Sequence, residues 1–143
     1  TLETNFDPKL GEIEVVSQEI GRVILNLFTN AFYAVNEKQS YSTSDGYKPT
    51  VSVMTLRIDN TIKISIKDNG NGIPKDILDK IFQPFFTTKP TGKGTGLGLS
   101  MSYDIVKAHN GTLKVNTENG AYTEFIITLP IKTKQHENIS SRR

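Results

Sequence analysis

Glycine gathers in two short clusters too rich for the interior of any helix or strand: Asp68-Asn-Gly70-Asn-Gly72-Ile-Pro74 and Gly92-Lys-Gly94-Thr-Gly96-Leu-Gly98-Leu-Ser100. Glycine reaches backbone conformations closed to other residues, so the chain turns sharply or approaches something closely at both places. The periodic segments must be arranged around these two breaks.

Upstream, Ile20, Val23, Ile24, Leu27, Phe28, Ala31 and Val35 recur at helical spacing and predict a helix of about twenty residues led in by Val15-Val-Ser17, with Ser17 as N-cap. Gln39 to Lys48 reads as a loop. Val51 to Ile58 is rich in strand formers, and Asp59-Asn60 marks a tight turn. Ile62, Ile64 and Ile66 alternate with Lys63, Ser65 and Lys67, the pattern of a half-buried strand. Pro74 predicts the opening of a short helix. Phe82 to Thr95 has no period and reads as a loop. Leu97, Met101, Ile105 and Ala108 predict a helix ending at Asn110-Gly111, with Gly111 as the left-handed terminal residue. Strands follow near Thr112–Asn116 and Tyr122–Leu129, joined at Asn119-Gly120. Glu3–Asp7 and Glu12–Val16 form a candidate hairpin. Together these elements predict a two-layer α/β (α+β) sandwich, a mixed, mostly antiparallel sheet with helices on one face.

The 143 residues suit one domain, expected over residues 1–131. Residues 132–143 read as a disordered polar, basic tail or a chain end. That tail holds four basic residues and one acidic, which leaves the body with 13 basic against 14 acidic. A near-neutral body argues against a nucleic-acid module. With no cysteine there is no disulfide framework and no thiolate zinc site. No apolar run is long enough to span a bilayer and no signal-peptide layout opens the chain, so direct membrane contact is not expected.

Asn26 and Asn30 lie one helical turn apart, both roughly 100° from the centre of the apolar stripe. An amide oxygen there can ligate Mg²⁺ and an amide NH₂ can bond a phosphate oxygen. Taken alone, two surface asparagines account for the pattern. Asp68 follows a strand, where its carboxylate can accept a hydrogen bond from an exocyclic amine, with Gly70 and Gly72 letting backbone approach a flat base. A plain turn is the alternative. A calcium loop is excluded, because Gly70 and Gly72 fall at positions that need side-chain oxygens. Gly94, Gly96 and Gly98 open a helix, and a helix N-terminus attracts phosphate. The glycine spacing fits neither a dinucleotide-binding turn nor a P-loop. Lys89 and Lys93 flank this segment, as phosphate ligands or as solvated loop lysines. Phe82, Phe85 and Phe86 read either as a hydrophobic plug or as the hinge of a lid. His109, in a helix's last turn, reads as structural. His136 falls in the tail.

In this order the segments resemble the catalytic, ATP-binding domain of sensor histidine kinases, within the gyrase/Hsp90/histidine kinase/MutL (GHKL) superfamily. Asn26-Leu-Phe-Thr-Asn30-Ala resembles its N box, Asp68 to Pro74 its G1 box, Phe82-Gln-Pro-Phe-Phe-Thr-Thr-Lys89 its F box and Gly92 to Ser100 its G2 box. Tyr122-Thr123-Glu-Phe125 resembles the closing segment. The likeness runs collinearly over roughly Asn5 to Pro130.

The resemblance implies the Bergerat fold, with ATP and Mg²⁺ as cofactors. Asn30 would coordinate Mg²⁺, with Asn26 beside it at the phosphates. Asp68 would bond the adenine amine, and Gly70, Gly72 and Ile73 would shape the base pocket. Gly94, Thr95, Gly96, Leu97, Gly98 and Leu99 would surround the β- and γ-phosphates, with Lys89 and Lys93 in the lid. Thr123 would reach the adenine side. The implied partners are a histidine-bearing dimerisation domain of the same polypeptide and a downstream response regulator. The expected setting is cytoplasmic, the fragment a monomer and the full protein a homodimer.

Two departures stand out. Some family members carry a basic residue where this chain has Tyr33, and no phosphoacceptor box is present. The chain therefore reads as a fragment beginning after that domain. The hydrolytic branch of the superfamily uses a carboxylate where this chain has Asn26, which cannot act as a base near neutral pH. Phosphoryl transfer to a histidine is the expected function. A pseudokinase and a GHKL ATPase are the alternatives.

Overall fold

The computed structural model describes residues 1–12, 15, 17–42, 46–90, 94 and 96–131. Helix α1 spans Ser17–Tyr41 and helix α2 spans Gly98–Ala108. The strands are β1 (Leu2–Asn5), β2 (Val51–Ile58), β3 (Thr61–Asp68), β4 (Thr112–Glu118) and β5 (Tyr122–Pro130). They form one five-stranded sheet in the order β1-β2-β3-β5-β4. Only the β1–β2 pairing is parallel. The predicted mixed, mostly antiparallel sheet with helices on one face is the fold observed.

The alternation of β3 sets the layers. Ile62, Ile66 and Asp68 are buried toward the helices while Lys63 and Lys67 are exposed. The register extends each inward position into a row across the sheet. One row runs Val53, Ile66, Phe125, Val115, and the last runs Val51, Asp68, Thr123, Thr117. Onto these rows α1 sets Ile20, Val23, Leu27, Ala31 and Val35, the stripe read from the sequence. Burying an aliphatic side chain of this kind stabilises the fold by about 1.5–3 kcal/mol. Helix α2 adds Val106 to the same core. On the other face of the sheet Met54, Leu56 and Ile58 remain exposed.

Four local expectations need correction. In place of the candidate hairpin of Glu3–Asp7 with Glu12–Val16, the described pairing of Leu2–Asn5 is parallel, with β2. Part of the second segment (13, 14 and 16) falls outside the described residues. Asp7 ends β1. Its carboxylate accepts the backbone N–H groups of Lys9 (2.8 Å) and Arg57 (2.9 Å), which hold its pKa below the ordinary value, the Arg57 bond contributing most.

Pro74 opens no helix. The chain from Lys75 to Phe85 is a run of turns closed by bonds to the third residue back, among them Lys80 N to Ile77 O and Gln83 N to Lys80 O, each 2.9 Å. Pro84 disfavours helical backbone at Gln83 and cuts the segment short.

Helix α2 ends with Asn110, not Gly111, in the left-handed region, at φ 60°. Asn110 N bonds Lys107 O at 3.0 Å and Gly111 N bonds Val106 O at 2.9 Å, the paired closure of a Schellman motif. Gly111 is small for another reason: a Cβ there would strike the Thr128 carbonyl of β5.

Helix α1 also continues to Tyr41, into the segment predicted as loop. Part of that loop (43–45) lies outside the described residues.

Candidate nucleotide site

Helix α1 turns Asn26, Asn30, Tyr33 and Glu37, which share one helix face, toward one cleft. Asp68, the last residue of β3, and Thr123, its register partner on β5, close the far end. Gly72 and Ile73 follow from the turn after β3. Lys89, Gly94, Gly96, Gly98 and Leu99 complete the opposite wall. The cleft encloses about 580 Å³, ample for a nucleotide.

Of the fifteen residues singled out in the sequence, eleven line this cleft and two described ones do not. Gly70 lies behind Asp68 and donates its N–H to Asp68 Oδ1 at 2.9 Å. Leu97 is the N-cap of α2. Lys93 and Thr95 lie outside the described residues.

The closed end is acidic and nearly dry. Asp68 is 4% exposed. Burial raises its pKa to about 6, against the lowering effect of the Gly70 N–H and the Lys38 ammonium. A desolvated carboxylate of this kind suits a donor on a flat ring. Thr123 Oγ1 meets Thr117 Oγ1 at 3.1 Å, and Thr117 Oγ1 takes the Ile73 N–H at 2.9 Å. Gly72 has φ 70°, and a Cβ there would enter the Glu118 backbone, so the turn closes against the β4 end as well as the cleft.

The open end is cationic. Among the described residues no side chain caps α2 and no acid lies in its first turn, so the positive end of that helix meets the cleft. Lys89 Nζ donates to Asn30 Oδ1 at 3.1 Å and sits 4.7 Å from the Tyr33 ring centroid. Burial alone lowers its pKa. Asn26 Nδ2 donates to Gly98 O and Ser102 Oγ, both at 3.4 Å, and so ties α1 to the first turn of α2.

The aromatic segment divides its work. Phe82 is the plug, packed on Tyr103 (5.3 Å) and Phe125 (6.4 Å). Phe86 lines the cleft, and Phe85 stands 74% exposed. His109 Nδ1 meets Ile105 O at 2.8 Å at the end of α2, a structural position.

Sequence reasoning passed over Lys38 and Thr117, and noted Tyr33 only as a departure from the family's basic residue. Lys38 Nζ donates to the carbonyls of Asn69 (3.4 Å), Gly70 (3.3 Å) and Gly120 (2.9 Å), bracing the turn after β3 against the β4–β5 turn. No motif marks it. Its one sequence clue is helical spacing that puts a lysine in line with Ala31 and Val35.

A buried acceptor at one end, a cationic rim at the other and neutral amides between them describe a site for a base carrying a chain of phosphates. Comparison with known proteins agrees. Residues 15–133 match the family of histidine kinase-, DNA gyrase B- and HSP90-like ATPases. The chain is 38% identical over 122 residues to the sensor histidine kinase ZraS of Escherichia coli K12, covering 85% of this chain and 24% of that protein. It is 40% identical over 114 residues to the sensor kinase CckA of Brucella abortus, covering 76% and 12% respectively. Among solved structures, the catalytic domain of histidine kinase ThkA superposes with a TM-score of 0.71 at 30% identity, covering 91% of this chain and 79% of that one. The mycobacterial sensor histidine kinase MprB gives 0.70 at 29%, covering 91% and 80%.

The chain belongs to the histidine kinase-, gyrase B- and HSP90-like ATPase family, and its fold is that of histidine kinase catalytic domains. It spans a minor part of the curated relatives' own length. Among the described residues no helix is long and apolar enough to cross a membrane.

Proposed function

We propose that this domain binds ATP with Mg²⁺ and delivers the γ-phosphate to a histidine on a separate dimerisation domain of the same polypeptide, as the catalytic part of a two-component sensor kinase. Asp68 accepts the adenine amine, with Gly72, Ile73 and Thr123 around the base. The N-terminal turn of α2, Gly94, Gly96 and Lys89 receive the phosphates, and Lys93 and Thr95 belong to the same segment.

Asn30 holds the metal. Its Oδ1 already accepts an ammonium at 3.1 Å, so it is an oxygen suited to a cation. Among the described residues no cluster of three His, Asp or Glu could hold a metal alone. One amide oxygen plus phosphates and water matches the habit of Mg²⁺.

The observation that carries the choice of kinase over hydrolase is Asn26. An amide, bonded to Gly98 and Ser102, stands where a water-activating base would be needed. A histidine acceptor is itself a nucleophile, so the site need only position groups and neutralise charge. The domain works in the cytoplasm, as a monomer when alone and within a homodimer when whole, and a response regulator takes the phosphate onward.

The test supplies a phosphoacceptor domain separately with Mg²⁺ and γ-labelled ATP. Acid-labile label on that domain is expected, and none with Asn30→Ala. Rapid phosphate release by the domain alone would replace the kinase with an ATPase. ATP binding without transfer to any acceptor tried would make it a pseudokinase.

A further inference from the structure

Among the described residues the Lys89 ammonium makes two contacts in the cleft, and neither supplies a counter-charge. One is the amide oxygen of Asn30 at 3.1 Å and the other the face of Tyr33, 4.7 Å to the centroid. Asn30 and Tyr33 are neighbours on the cleft side of α1, so the ammonium lies across one strip of helix surface. The oxygen it holds is the one assigned above to Mg²⁺. Two cations repel at one neutral oxygen, so Lys89 would give up Asn30 to a metal held there. The ring remains. Its quadrupole attracts an ammonium without fixing the direction of the N–H bonds, which leaves those donors for an anion.

We propose that Tyr33 is a positioning residue for phosphate binding: its ring keeps the Lys89 ammonium at the open end of the cleft once the metal has taken Asn30, so that the ammonium bonds the triphosphate. The inference rests on the nucleotide reading of the cleft. Tyr33 acts only through Lys89. Its hydroxyl makes no hydrogen bond to any described residue, so the ring face is the working part.

The experiment measures binding of MgATP and of adenosine to the whole chain by calorimetry. Tyr33→Leu and Lys89→Met should each weaken MgATP roughly tenfold, the size of a desolvated cation–π contact, and leave adenosine unchanged. The double variant should be no weaker than Lys89→Met, because both changes remove one contact. Tyr33→Phe keeps the ring and should restore the MgATP affinity lost in Tyr33→Leu. Three results overturn the proposal: unchanged MgATP affinity in Tyr33→Leu, a parallel loss of adenosine affinity, or additive losses in the double variant. Failure of the unaltered protein to bind either ligand would remove the nucleotide reading itself, and this inference with it. Intact binding with no effect at Tyr33 removes only the inference.

Discussion

Gly96 and Phe85 meet backbone to backbone, so closely that a Cβ on Gly96 would fall within the Phe85 main chain. Both residues are left-handed, at φ 72° and 66°. Alanine at Gly96 would cost about 1–2 kcal/mol in backbone conformation alone, and the collision would push the two segments apart. Gly96→Ala should therefore weaken ATP binding by roughly tenfold or more. Gly98→Ala should fold normally, because its Cβ would meet only the Asn26 side chain, at 3.8 Å. Calorimetry and thermal melts on the two variants check the contrast.

Asp68 should decide which base is accepted. Asp68→Ala should cost about 1.5–3 kcal/mol of ATP affinity, the range for a hydrogen bond to a charged group. GTP carries no amine at the equivalent place and should bind the unaltered domain much more weakly. Equal affinity for the two nucleotides would take Asp68 out of this role.

The same residue should make the fold less stable as acid is removed. Its pKa is raised from 3.8 to about 6. Between these values the native state holds a proton that the unfolded chain has lost, so stability falls as pH rises from about 4 to 6. Above that window the loss is constant, about 3 kcal/mol. Asp68→Asn keeps an acceptor for the Gly70 N–H and should be more stable than the unaltered protein at pH 7. Urea melts at pH 4.5 and 7.5 measure both effects.

Base binding should follow the opposite course. Protonation removes the carboxylate that accepts the amine, so adenosine affinity should fall as pH drops through about 6. Adenosine has no phosphate to titrate there. Asp68→Asn should flatten the profile.

Lys38 should matter to stability without touching nucleotide. Lys38→Met leaves the Asn69, Gly70 and Gly120 carbonyls without their shared donor. A loss of about 2 kcal/mol in denaturant unfolding is expected, as for hydrogen bonds from a charged group.

The parts of this molecule legible in the sequence are those built by local periodicity. The α1 stripe, the β3 alternation and the glycine clusters each carry their own pattern over a few residues. The parts that escaped depend on what the fold brings from elsewhere. Gly111 looks like a left-handed helix end until the Thr128 carbonyl lies beside it. Pro74 looks like a helix start, but Pro84 interrupts the segment and its bonds close on the third residue back. Lys38 and Thr117 gain meaning only when the turn after β3 meets the β4–β5 turn. The site followed the same rule. Asp68 was visible because a strand leads into it, while the contact of Tyr33 with Lys89 was not, because that partner comes from a distant loop.

Between Asp68 and Gly98 the described residues form no helix or strand. The span is fastened at intervals, by Ile73 to Thr117, Phe82 to Tyr103 and Lys89 to Asn30. The base end of the site is thus cast in the sheet, while the phosphate end is strung between fasteners. Lengthening such a span is cheap, since doubling a loop costs only about 0.6 kcal/mol in closure entropy. Insertions and deletions between these fasteners can reshape the mouth of the cleft while the floor that reads the base stays as it is.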